Sequence, residues 1–189
     1  VFVFPITLVA GWGLVAKSFA NLQAVDPGFD YRGRLVTNLT LTFSRFRNPG
    51  EVTTWTRTLF ENISRIEGVT AVGSSSMSPT RPDTDATPLV HVEGVTTPPV
   101  VSRRRVVSAG FFDAMGIRIR QGRGFTDEDR ATSTPVAIVN ESFARRYMPG
   151  MDPLKGQISF GFPTIPPQTP RAVVGVVSDV RYASLTADS

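Results

Sequence analysis

The chain has 189 residues, 41% of them hydrophobic, with 20 basic against 16 acidic side chains, a net charge of +4 and no cysteine. That length fits one ordinary domain or two small ones, and the missing cysteine excludes disulfides, thiolate metal sites and a cysteine nucleophile. Only Lys17 and Lys155 are lysine; the arginines are scattered and no DNA- or RNA-binding motif accompanies them, so no nucleic-acid partner is expected.

Residues 1–16, VFVFPITLVAGWGLVA, carry no charge. A helix of that length reaches ~24 Å, short of the ~30 Å hydrocarbon core, so a spanning helix needs further turns upstream. Trp12, Lys17 and Phe19 suit a membrane–water interface, and Pro5, Gly11 and Gly13 are better tolerated in a membrane helix than in a soluble one. No basic segment precedes the apolar run, which argues against a secretory signal peptide; a buried soluble helix is the competing reading. Phe19, Leu22 and Val25 continue the helical stripe as a stalk until Asp26-Pro27-Gly28 stops it. The chain opens within an apolar run at Val1 and closes on LTADS soon after a strong strand, and so reads as a piece of a longer one.

Leu35 to Phe43 alternates apolar and polar residues, the pattern of a half-buried strand. Asn48-Pro49-Gly50 reads as a turn. Glu51 to Glu67 predicts a helix, with Val52, Trp55, Leu59, Ile63 and Ile66 on one face and Gly68 as its C-cap. Val69 to Ser75 reads as a second strand, which the helical crossover would make parallel to the first. Ser76 to Thr87 is polar and Pro-rich, an exposed loop available for contacts.

The stretch 101–161 organises the rest of the chain, because short strands and very short helices alternate through it. Leu89 to Val92 and Arg103 to Val107 read as strands, and Thr96 to Pro99 as loop. Ser108 reads as the cap of a short helix whose Phe111, Phe112 and Met115 pack inward and which Gly116 ends. Ile117-Arg118-Ile119-Arg120 alternates, isoleucines in and arginines out, and Gln121 to Gly124 reads as a turn. Thr126 reads as the cap of a helix with an acidic first turn, Asp127-Glu128-Asp129. Val136 to Val139 is a strand passing through Asn140 and Glu141 into the helical SFARRYM. MPGMDPLKGQ breaks that helix, and Ile158 starts a new apolar run. Ala172 to Val177, AVVGVV, is apolar throughout and predicts a strand buried on both faces, after a loop holding Pro166, Pro167 and Pro170.

Reactive groups are sparse. His91 is the only histidine and reads as structural. Asp83 and Asp85, near Thr84 and Thr87, offer too few oxygens at defined offsets for a calcium loop. The dipole-matched turn accounts for Asp127 to Asp129. Gly110, Gly116, Gly122 and Gly124 follow no phosphate-loop spacing, and Ser74-Ser75-Ser76 has no histidine base nearby in sequence. Asn38, Asn62 and Asn140 begin N-x-[ST] triplets that matter only in a eukaryotic secretory pathway. Arg103-Arg104-Arg105 places an arginine on each strand face, to pair with carboxylates across an interface or to touch a partner. No catalytic, cofactor-binding or metal-binding residue is assigned, no cofactor is expected, and the chain is read as not an enzyme.

Four segments carry a resemblance: the apolar helix running into AKSFANLQAVDPGFD (16–30), SAGFFDAMGIRIRQGRGFTDEDR (108–130), VAIVNESFARRYMPGMDPLKGQISF (136–160) and AVVGVVSDVRYASL (172–185). In this order and spacing the chain resembles the periplasmic core domain of MacB-like, FtsX-type ABC transporter permeases, and its VDPGFD element looks like the second copy in permeases where the domain occurs twice. The resemblance implies an α+β fold in which an N-terminal transmembrane and stalk helix leads to a two-lobed periplasmic domain. By it, residues 1–27 are the membrane and stalk helix, 28–97 the first βαβ half of a porter-like lobe, 98–183 a small mixed α/β Sabre-like lobe, and 184–189 a linker to the second half of the porter-like lobe. The implied role is mechanotransmission for export or efflux, carried by the stalk, Lys17 to Pro27. The implied setting is the bacterial inner membrane with the main domain in the periplasm. The implied partners are the lipid bilayer, a cytoplasmic ABC ATPase reached through the rest of the permease, and a periplasmic partner protein, in a homodimer or an internally duplicated chain. Pro5 departs from the family pattern and argues against a straight, rigid transmission helix. Two other readings stand beside this one: a membrane-anchored extracytoplasmic binding or sensing module without an ATPase, and an anchored exported hydrolase.

Overall fold

The computed structural model describes residues 32–41, 46, 48–76, 88–95, 98–130, 132–162 and 169–180. Its elements are α1 (Pro49–Ser64), β1 (Leu89–Val92), β2 (Val100–Val101), α2 (Phe111–Met115), β3 (Ile119–Gly122), β4 (Val136–Asn140), α3 (Glu141–Tyr147), a 3-10 turn (Pro153–Lys155), β5 (Gln157–Gly161) and β6 (Arg171–Val177). The fold is therefore mixed helix and strand. Among the described residues no helix is long and apolar enough to cross a membrane; Val1 to Ala16 and the stalk, Lys17 to Pro27, lie outside them.

The sheet is built on β6. Along one edge β4 runs parallel to it from Ala172 to Val177. The other edge is shared: β5 pairs antiparallel with its start, at Arg171 and Ala172, and β3 antiparallel with its end, from Gly175 to Val177. Antiparallel β1 and β2 extend the sheet beyond β5, giving the order β2-β1-β5-β6-β3 with β4 on β6. A strand so enclosed has no solvent-facing side, which is why AVVGVV carries no polar residue. Val173 and Val176 pack under α3 with Val90, Ala137, Val139, Phe143, Ala144, Met148 and Ile158. Val177 packs under α2 with Phe111, Phe112, Met115 and Ile117. The sheet is thus the middle of three layers. The largest fully covered apolar side chains of the core, Met148 at 2% and Val173 at 1% exposure, each contribute about 1.5–3 kcal/mol of burial.

The helices form where their ends are satisfied. Asn140 is extended, and its side chain accepts the Phe143 N–H at 3.2 Å, which starts α3 as β4 stops. Gly116 takes the left-handed conformation, φ 63°, and ends α2. Asn48 caps α1 by accepting the Glu51 N–H at 3.1 Å, while its amide donates to the Glu51 carboxylate at 3.4 Å.

Several expectations are corrected. Pro49 and Gly50 lie inside the first turn of α1, where proline loses nothing by lacking an N–H. That helix stops at Ser64, with Arg65 at the cap rather than Gly68. The described part of Leu35 to Phe43 forms no strand, and Leu35 is 95% and Leu39 60% exposed. Val69 to Ser75 makes only one isolated bridge, Ser75 to Val107. Alternation yields a strand only when a neighbour takes up the backbone N–H and C=O groups, and among the described residues no ladder pairs these two segments. Arg103 to Arg105 join no ladder; three consecutive arginines would put a charge on whichever face was buried. Gln121 and Gly122 continue β3 instead of turning, since Gly122 opposes Gly175 and a side chain on either would strike backbone at 2.2 Å. Ser108 does not cap α2: Gly110 stands at its N-cap without a side-chain bond. Asp127 to Asp129 form a single turn and not a helix: the Asp129 N–H donates to Thr126 O at 3.1 Å, and its carboxylate accepts the Thr126 N–H and hydroxyl.

Candidate functional site

Most of the residues singled out by chemistry stand apart from one another. His91 lies half-buried in β1, opposite Ser159 in the ladder. Asp83 and Asp85 lie outside the described residues, as does the loop Ser76 to Thr87 apart from Ser76. Among the described residues no three His, Asp or Glu side chains converge as a metal site would require. What the structure assembles instead are joints.

The first joint fastens residues 32–76 to the sheet. Residues 74–76 run antiparallel to 106–108: Ser108 N–H donates to Ser74 O at 3.0 Å and Ser76 N–H to Val106 O at 2.8 Å. Two serine hydroxyls complete the pairing. Ser108 Oγ accepts the Ser74 N–H at 2.8 Å, and Ser76 Oγ accepts the Val106 N–H at 3.1 Å. Beside this seam two glycines let backbones touch. A Cβ on Gly73 would lie 2.5 Å from Phe111 Cα, and one on Gly110 would lie 2.3 Å from Val72 O. Thirty-nine positions before Gly73, Arg34 reaches the same helix: its guanidinium donates to the carbonyls of Asp113 and Ala114 at the C-terminal end of α2. Residues 32–76 therefore grip α2 from both of its ends.

The second joint lies where the chain leaves β6. Asp179 accepts from Asn140 Nδ2 at 2.7 Å, from Ser142 N–H at 2.8 Å and from Ser142 Oγ at 2.6 Å. Arg145 stands 3.8 Å away and also donates to Ser142 Oγ at 2.9 Å. One carboxylate thus ties the exit of β6 to the β4–α3 corner. Sequence reasoning placed the strand-to-helix corner at Asn140 and Glu141 but missed Asp179, whose hydrogen-bond partners lie 37–39 residues away. The glycines had a signal: a lone Gly in a strand-like pattern marks close backbone approach.

A third, smaller clasp follows β3. Arg123 grips Asp129 with two hydrogen bonds, 2.6 and 2.9 Å. That bond, with the Thr126 N–H and hydroxyl and the Arg123 charge, holds the Asp129 carboxyl down at about 2 against an ordinary 3.8, although partial burial opposes the shift. Asp129 correspondingly raises Arg123. Of the three successive arginines, Arg104 lies over the Phe160 ring, 5.6 Å from its centroid, and Arg171 lies 5.0 Å from the same centroid.

Comparison with known proteins matches residues 6–188 to the MacB-like periplasmic core domain. The solved structures that are similar include three periplasmic, extracellular or permease domains. The periplasmic region of MacB from Actinobacillus actinomycetemcomitans is 20% identical with a TM-score of 0.48, over 82% of this chain and 56% of that one. The extracellular domain of the noncanonic ABC-type transporter YknZ from Gram-positive bacteria is 18% identical with a TM-score of 0.45, over 64% of this chain and 55% of that one. A domain of a putative permease protein from Porphyromonas gingivalis is 17% identical with a TM-score of 0.40, over 61% and 42%. The chain spans about half the length of these structures. Among curated proteins none matches. A family match that runs through the apolar start, both joints and the whole sheet covers nearly every residue, and so the chain belongs to the family of MacB-like periplasmic core domains.

Proposed function

We propose that the chain is the extracytoplasmic core of an ABC transporter permease subunit, a non-enzymatic part that passes ATPase-driven motion across the bacterial inner membrane for export or efflux. In this reading Val1 to Ala16 lies in the lipid bilayer, Lys17 to Pro27 is the stalk, and a cytoplasmic ATPase acts through the rest of the permease. Residues 28–97 form the first half of a porter-like lobe, 98–183 the Sabre-like lobe, and 184–189 lead to the second half. The domain is the second copy of a duplicated permease or works as a homodimer, and it meets a periplasmic partner protein.

The observation that carries the reading is the way the arm is fastened. Motion entering from the stalk side reaches residues 32–41 first, and Arg34 delivers it to the end of α2. The seam at 74–76 and 106–108 holds the other end of that helix, and α2 packs directly on Val177 of the central strand. A helix held at both ends and seated on a sheet moves as a lever. The exposed apolar side chains of α1, Trp55 at 40% and nearby Ile66 at 59%, support a lobe that another half completes.

The test uses the full permease with its ATPase. A three-glycine insertion beside Asn21 softens the stalk without touching either joint. Transport per ATP hydrolysed should fall about tenfold or more, while ATPase turnover itself persists. Unchanged coupling removes the stalk from the mechanism.

A further inference from the structure

We propose that Arg104, Phe160 and Arg171 form a docking surface for an acidic peptide segment of a second protein. Val90 opposes both Val100 of β2 and Phe160 of β5, so these three side chains form a row across the sheet on the face that α3 also covers. Val90 is buried at 3% exposure, and Phe160, half-buried, closes the row. Arg171 opposes Ile158, two residues before Phe160 and therefore on the same face. Both guanidiniums gather on that one ring, at 5.0 and 5.6 Å from its centroid.

Arg57, Arg120, Arg123 and Arg145 each have a carboxylate within 4.0 Å. Among the described residues no carboxylate lies within that distance of Arg104 or Arg171; Arg171 donates to the Thr169 carbonyl at 3.2 Å. The ring quadrupole holds two cations that repel each other, and a carboxylate placed between them would turn the repulsion into two charge-assisted hydrogen bonds.

The composition selects a protein over a lipid surface. Anionic bilayers are read by clusters of about four to eight basic side chains, whereas the core of a protein interface is rich in arginine and aromatic residues. Here two arginines bracket one aromatic. A segment bearing Glu or Asp beside an apolar residue matches that surface in charge and in character.

The test is phenylglyoxal footprinting of the whole chain in neutral-detergent micelles, read residue by residue by mass spectrometry, with decaglutamate as the probe. Decaglutamate should slow modification of Arg104 and Arg171 about tenfold. It should slow the exposed Arg118 and Arg146 less than about twofold, with protection fading as salt rises. Equal slowing at all four arginines would reveal a general charge effect and overturn the proposal, as would no protection at all. Protection by phosphatidylglycerol vesicles but not by the peptide would overturn it in favour of a lipid surface. The footprint is read on the unaltered chain, so it does not depend on a variant folding. Phe160→Leu supplies the second measurement: it keeps both guanidiniums but loses the ring that gathers them, and protection at Arg104 should fall by half or more.

Discussion

Among the described residues helix α1 is the longest element and buries none of its side chains fully, whereas β6, less than half as long, touches almost every part of the core. All the buried hydrophobic side chains among the described residues lie between Val90 and Val177. Residues 32–76 are attached by directed bonds: a serine-lined seam and one arginine on a helix end. Burial is non-directional and cooperative, so residues 88–180 should unfold as one unit. A few hydrogen bonds and close glycine contacts hold position but yield locally, so the arm should open first. The proposed transmission of motion would be served by that division, with a stiff sheet and an arm that can be displaced relative to it.

The sharpest way to break this comparison is to remove one large apolar side chain from each region. Met148→Ala empties a site that is 2% exposed and should cost about 2–5 kcal/mol. Trp55→Ala removes a larger side chain that is 40% exposed and meets Phe46 edge-on at 6.0 Å; it should cost less than about 1 kcal/mol. Urea denaturation followed by circular dichroism measures both. Comparable losses would mean that α1 belongs to the core after all.

The seam offers a finer test. Gly73→Ala drives a methyl into the backbone of Phe111, which cannot give way as a flexible side chain would. The expected cost is about 1–3 kcal/mol, and it should be local. Hydrogen exchange should quicken at the Ser74, Ser76, Val106 and Ser108 amides while the amides of β6 keep their protection. Equal loosening of β6 would join arm and sheet into one cooperative unit.

What could be read from the sequence follows the same division. The central strand, the β4–α3 corner at Asn140 and Glu141 and the inward Phe111, Phe112 and Met115 were legible, because their patterning is local and the core that rewards it lies within the same stretch. The alternation of Leu35 to Leu41 was equally clear as a pattern, yet without a neighbouring edge it forms no strand. Two local rules did not hold: the Thr126 cap closes one turn with Asp129 and no helix follows, and the Ser108 hydroxyl accepts from the Ser74 N–H rather than capping α2. The joints themselves were illegible, because Arg34 lies 80 residues from its acceptor at Ala114 and Asp179 lies 39 from Asn140. Those pairings depend on topology, which no window of sequence contains.

Asp179→Asn probes the second joint. Asparagine keeps the size and one acceptor but loses the charge and the oxygen that takes the Ser142 hydroxyl at 2.6 Å. A loss of about 1–2 kcal/mol is expected, together with faster exchange of the Ser142 amide. If stability is untouched, the corner is held by burial of Phe143 alone and the carboxylate is dispensable.

The smallest effect is set by pH, and it belongs to the sheet side of the comparison. The Arg123 guanidinium and the Thr126 donors hold Asp129 at about 2 when folded, below its ordinary 3.8. A depressed carboxyl contributes stability that is complete above the unfolded value, shrinks as the pH falls below about 4, and is gone once it has fallen through about 2. Arg123 stays charged throughout that window, so the titration is that of Asp129. The pair has one well-covered partner, with side-chain exposures of 47% for Arg123 and 10% for Asp129, and an effect of about 1 kcal/mol or less is expected. Asp129→Asn should therefore lower Tm slightly at pH 6 and not at all at pH 2, so that the wild-type and variant curves converge between those limits. Parallel curves would show that the clasp adds nothing, and that β3 is held to β6 by its ladder alone.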